Sequence, residues 1–243
     1  MRVNPLRPSS NVDLPDVVLH MTGRWGPKAA GVLPTVAAAE SAWRMASILW
    51  SRQLLAQPVF GSDWPVVCFT HTTRRALAGL TSRFDGLGIA FHAQSVFNAG
   101  GAPVLYVRGD EHEALHANTS LSEAFRSRIV RWWPGATEDD PWANLMLPHS
   151  VSGPSEWTHE REWRIPRPAE VTVDWGWRFT PQDVAFVLIP STAYGDTIYN
   201  QLEGFKSDPR NAPSDLAWLY EVPVAARVGD AWVFTRGDAP GWT

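Results

Sequence analysis

The chain has 243 residues and a formal net charge of −4, a balance that gives no global attraction to nucleic acid or to anionic lipid. Its single cysteine, Cys68, excludes an intrachain disulfide and an all-cysteine metal site. No stretch reaches the ~18 uninterrupted apolar residues of a membrane span and the N-terminus has no apolar leader core, so a cytoplasmic protein without membrane association is expected.

Residues 1–16 carry Pro5, Pro8 and Pro15 among Ser and Asn, which predicts a flexible lead-in to a single α+β domain over 17–243. Val17 to Thr22 is a β-type run closed by Gly23, and a turn-rich stretch follows to Pro34. From Thr35 as N-cap, Val36, Ala39, Trp43, Ala46, Trp50 and Leu54 recur at the spacing of one helical face. Pro65 to Thr70 is an apolar run of strand length, and a short helix is predicted over Arg74 to Leu80. Two further strands, Leu87 to Phe91 and Pro103 to Arg108, flank a short helix that Gly100-Gly101 terminates.

Ser120-Leu121-Ser122-Glu123 has a capping-box pattern, and Leu121, Phe125, Ile129 and Trp132 extend it as a second helix. Residues 134–155 read as a long loop. Strands over Glu156 to Ile165 and Val184 to Ile189 come next, then a helix from Tyr194 to Leu202 stopped by Gly204. Leu216 to Val222 and Ala231 to Thr235 are the last strands predicted. The interleaving lacks a strict βαβ rhythm, so a mixed, partly antiparallel sheet flanked by helices is expected.

Three segments hold candidate chemistry. In Glu156 to Ile165, a period-two strand places Thr158, Glu160, Glu162 and Arg164 on one face, so two carboxylates share a face with an arginine opposing their mutual repulsion. An exposed edge strand with charges alternating for solubility accounts for the same letters. His159-Glu160 lacks a second histidine four positions on, because Trp163 stands there, and the zinc-protease reading fails; no metal site is expected. No Gly-x-Ser-x-Gly, Gly-x-Gly-x-x-Gly or Gly-x-x-x-x-Gly-Lys occurs, which removes serine-hydrolase, Rossmann and P-loop readings.

His20 and Thr22 face the same way on a strand and suit a ribose diol or an amide, or else cap a strand end around a satisfied core histidine. Phe69 to Thr73 groups hydroxyls at a strand end, where helix capping is their common use. Arg126, Arg128 and Arg131 with Trp132 and Trp133 form a basic, aromatic-edged end that suits nucleic acid or a solvated helix face.

Cys68-Phe69-Thr70, Gly88-Ile89-Ala90-Phe91, Gly100-Gly101-Ala102-Pro103-Val104-Leu105-Tyr106-Val107 and Glu160-Arg161-Glu162-Trp163-Arg164 resemble, in order, the motifs of AbiGi-type abortive-infection proteins over about residues 17–190, with Ala90 where that group has glycine. His20-Met21-Thr22, Leu54-Leu55-Ala56 and Glu162 more loosely resemble DarT-like ADP-ribosyltransferases. The resemblance implies an ADP-ribosyltransferase-like fold and an NAD-consuming mono-ADP-ribosyltransferase of bacterial conflict or phage defence. NAD would be substrate, the acceptor a protein or nucleic acid, and a cognate toxin or antitoxin a further partner. His20, Thr22 and Thr70 would then line the NAD site, with Arg24 or Arg52 as the NAD-binding arginine. Glu162 would stabilise the oxocarbenium-like centre and Glu160 orient the acceptor. The rival expectation is a non-catalytic, antitoxin-like or regulatory binding module on the same fold.

Overall fold

The computed structural model describes residues 15–22, 34–59, 62–74, 77, 86–131, 161–171, 174–229, 231–238 and 242. Strands β1 (Val17–Met21), β2 (Gln53–Leu55), β3 (Gln57–Val59), β4 (Ser62–Thr70), β5 (Gly88–His92), β6 (Ala102–Pro103) and β7 (Leu105–Val107) come from the first half. The second half supplies β8 (Ile129–Arg131), β9 (Glu162–Pro166), β10 (Gly176–Arg178), β11 (Val184–Ile189), β12 (Val224–Val228) and β13 (Ala231–Arg236). The helices are α1 (Pro34–Ser51), α2 (Ala93–Asn98), α3 (Gly109–Ala117), α4 (Glu123–Arg126) and α5 (Thr192–Ser207).

The main sheet runs β13-β12-β11-β5-β1-β4-β9-β6, with β3 also on β4. Its pairs are antiparallel except β11 with β12; β10 with β2 and β7 with β8 form two small separate sheets, the latter parallel. The architecture is therefore α+β with a mixed, mostly antiparallel sheet.

Period-two alternation sends residues to opposite faces, and both faces are apolar. One face carries Val18, Ile89, Phe91, Val67, Phe69, Trp163, Ile165 and Val187, covered by Ala42, Met45 and Leu49 of α1 and Ile198 and Leu202 of α5. The other carries Val17, Leu19, Ala90, Phe186, Leu188 and Ala225, and packs against Leu77, Trp232 and Trp242. Burial on both sides explains the continuous apolar run of β11, every residue of which is buried.

Several predicted elements differ. The helix expected over Leu121 to Trp132 is the short α4 followed by strand β8: Ser122 caps it by accepting from the Phe125 N–H, and the β-branched Ile129 and Val130 pair in parallel with β7. Leu216 to Val222 is not a strand; the Asp215 carboxylate accepts the Ala217 N–H and starts a 3-10 turn over Ala217–Tyr220. Gly204 does not stop α5, which continues to Ser207. The Pro103 to Arg108 strand is divided between β6 and β7, which belong to different sheets. Of the strand predicted over Glu156 to Ile165, the part from Glu162 is β9, preceded by Arg161 at φ 43°; residues 132–160, with the predicted 134–155 loop, lie outside the described residues. Among the described residues, no helix is long and apolar enough to cross a membrane.

Candidate functional site

Strand β1 lies between β5 and β4. Against β5 it is paired along its whole length, from Val17 opposite His92 to Met21 opposite Gly88. Against β4 it shares one register pair, Leu19 with Thr70. Beside that pair the His20 imidazole replaces a ladder bond: Nδ1 lies 2.9 Å from the Cys68 carbonyl. A carbonyl only accepts, so Nδ1 carries the proton and the lone pair of the neutral ring sits on Nε2. Burial holds the His20 pKa below the ordinary histidine value, opposed in part by the bond to Cys68. The ring meets the edge of Phe69 at 5.9 Å, and Phe69 in turn packs on Phe91 and Trp177.

Strand β4 carries the register on to β9. Thr70 faces Glu162, Phe69 faces Trp163 and Cys68 faces Arg164. Leu19, Thr70 and Glu162 therefore form one rung across β1, β4 and β9. The rung also fixes orientation, because side chains directly opposite share a face. Thr70 and Glu162 point to the face of Leu19, whereas His20, the next residue along β1, points to the face of Phe69 and Trp163. The sequence expectation that His20 and Glu162 line one pocket is not met: they are close along the sheet and on opposite sides of it.

Glu162 is committed to its own strand. Arg164, two residues on and on the same face, donates from Nε to Oε1 at 2.8 Å and from Nη2 to Oε2 at 3.2 Å. The Arg164 side chain is 2% exposed and Glu162 20%. Its Nη1 donates to the Ser127 carbonyl at 2.6 Å, which ties β9 to the end of α4. The Cys68 thiol lies against this pair, and its pKa is raised well above the ordinary value by burial first and by the Glu162 charge second. The shift favours the protonated thiol over the thiolate.

The remaining candidates are separate. Thr22 is buried and uses both its N–H (2.9 Å) and its hydroxyl (3.3 Å) on the Leu87 carbonyl. Arg52 closes α1 in a left-handed conformation, φ 50°, donating its N–H to Ile48 and accepting from Phe179. No hydrogen bond or ion pair among the described residues joins it to His20, Thr70 or Glu162. Arg24 and Glu160 lie outside the described residues. Of the basic cluster, Arg126 donates to the His116 carbonyl, Arg128 lies over the Phe125 ring and Arg131 faces Glu113 at 3.9 Å.

One pattern was passed over by the sequence reading. His112-Glu113-Ala114-Leu115-His116 has the spacing that fails at His159, and it lies on α3, a helix that periodicity missed because none of its residues is buried. A scan for the two-histidine spacing along the whole chain, rather than at the one His-Glu pair beside a predicted strand, finds it. Comparisons with protein-family models, with curated proteins and with solved structures found no match to this chain.

Proposed function

We infer that the chain acts as a non-catalytic binding module, antitoxin-like or regulatory, of the abortive-infection kind its motifs resemble, rather than as a transferase that turns over NAD through Glu162. The observation that carries this reading is the rung Leu19–Thr70–Glu162, which turns the Glu162 carboxylate away from His20. A transferase of the kind expected needs a histidine and a carboxylate on the same bound dinucleotide. Here both carboxylate oxygens are engaged by a buried arginine, and the imidazole is bonded to a strand carbonyl. Each group has a structural occupation.

A second reading keeps the transferase. It is favoured by the way residues from positions 20, 70 and 162 arrive on three neighbouring strands at one level, beside the single-pair contact of β1 with β4. The neutral His20 ring also keeps an acceptor nitrogen suited to a ribose hydroxyl. Titration calorimetry of the full chain with NAD, combined with an assay of nicotinamide release, separates the readings. The binding-module reading expects neither heat nor release. Nicotinamide release by the unmodified chain that Glu162→Gln abolishes, with the fold intact by circular dichroism, would establish the transferase and end the first reading.

A further inference from the structure

We propose that His112 and His116 on α3 form a chelating site for a divalent transition-metal ion of the zinc, nickel and copper group, with water completing the coordination shell. Residues four apart are neighbours on one helical face, one turn from each other. The two rings are stacked with centroids 4.1 Å apart and 26° between their planes. Two ring nitrogens each about 2.0–2.1 Å from a common ion lie roughly 3 Å apart, a separation these rings reach by turning about χ2, which is a broad torsion for histidine. Imidazole is a preferred ligand of zinc, nickel and copper and a poor one for magnesium or calcium.

A second observation points to the same place. Nε2 of His116 is buried and has no hydrogen-bond partner, an orphaned nitrogen that a bound ion would satisfy. Stacking alone leaves that nitrogen unexplained.

The proposal stops at binding, although the pattern His-Glu-x-x-His is shared with metal-dependent hydrolases. Such hydrolases hold zinc with three protein ligands. Among the described residues, no group of three or more His, Cys, Asp or Glu side chains is placed to hold a metal ion. Glu113 is 75% exposed and faces Arg131 at 3.9 Å.

The test is calorimetric titration of the full chain with Ni²⁺, Zn²⁺ and Cu²⁺, with Mg²⁺ as control. The unmodified chain is expected to show a site for the first three that Mg²⁺ does not occupy. His112→Asn and His116→Asn should each weaken it about tenfold or more, since each removes one arm of the chelate, while Glu113→Gln leaves the affinity unchanged. Because the chain has 7 histidines, electron paramagnetic resonance of the Cu²⁺ form provides the independent readout. Coupling to two equivalent nitrogens is expected, reduced in either single variant. Unaltered affinity in either variant, or a copper spectrum that neither substitution changes, overturns the assignment. Circular dichroism confirms that the variants remain folded, which the exposed position of α3 favours.

Discussion

At the level of single side chains, the decisive contact is the one between Arg164 and Glu162. Arg164 is the most buried charged side chain in the ion pairs of the described residues, and it satisfies a carboxylate and a main-chain carbonyl at once. Removing one partner of such a pair leaves the other desolvated and uncompensated, which costs about 3–5 kcal/mol in a fully buried setting and somewhat less here because Glu162 reaches solvent at its edge. Arg164→Ala should therefore destabilise the protein by roughly 3 kcal/mol in a urea titration. Glu162→Gln keeps an oxygen to accept from Arg164 but removes the charge opposing a guanidinium that is 2% exposed, so it should cost a similar amount, about 2–3 kcal/mol. Losses within about 0.5 kcal/mol of zero for both variants would contradict a structural role for the pair. Cys68, beside it, makes a second test. Its raised pKa keeps the thiolate scarce, so iodoacetamide at pH 8 should alkylate the folded chain far more slowly than the urea-unfolded one.

Among the elements, glycines separate what the sequence announced from what it concealed. Gly204 looks like a helix stop, yet a Cβ built there meets nothing within 4 Å and α5 runs past it. Gly204→Ala should stabilise by about 0.5–1 kcal/mol, read as a higher thermal midpoint. Gly101 is the opposite case: a Cβ would lie 2.6 Å from Val96 Cγ1 and 2.7 Å from the Val96 carbonyl oxygen, so Gly101→Ala should destabilise by roughly 1–3 kcal/mol. The strands with long apolar runs, β1, β4, β5 and β11, were legible because their composition alone demands burial on both faces. The elements that escaped are those where a local polar contact outweighs periodicity: Ser122 and Asp215 each start a tight turn with one side-chain bond. The pairing of Glu162 with Arg164 was readable as a same-face doublet. What no local pattern could give is the register of β1 on β4, since a shift of one residue there would have put His20 and Glu162 on the same side.

For the molecule as a whole, the sheet divides two apolar layers, and neutral imidazoles stand at the edges of the packing. His20 meets the aromatic cluster of Phe69, Phe91 and Trp177, and His71 packs on Trp163 while its Nε2–H donates to the Pro15 carbonyl at 2.7 Å. His112 stacks on His116 on the outer helix α3. In each of the three, burial is the first cause of a pKa below the ordinary histidine value of 6.5; Arg161 adds to it at His71, and His116 and Arg131 add to it at His112. A histidine whose folded pKa is depressed binds its proton more readily in the unfolded chain, so between the two values the unfolded state holds more protons and stability rises with pH. The contribution is fully present above about pH 6.5, declines as pH falls below it, and levels off once the folded pKa values are passed. Asp208, held low by Arg210, is a depressed carboxylate whose contribution is present above its ordinary value of 3.8 and lost only below that. Thermal midpoints should accordingly be level between pH 8 and 7 and fall from about pH 6.5 toward 5. His20→Asn, whose side-chain amide can still donate to the Cys68 carbonyl, combined with His71→Asn should flatten that slope without moving the pH 8 midpoint by more than a few degrees. An undiminished slope in the double variant would mean that neither ring titrates with unfolding, and the burial of two imidazoles against the sheet would lose its energetic consequence.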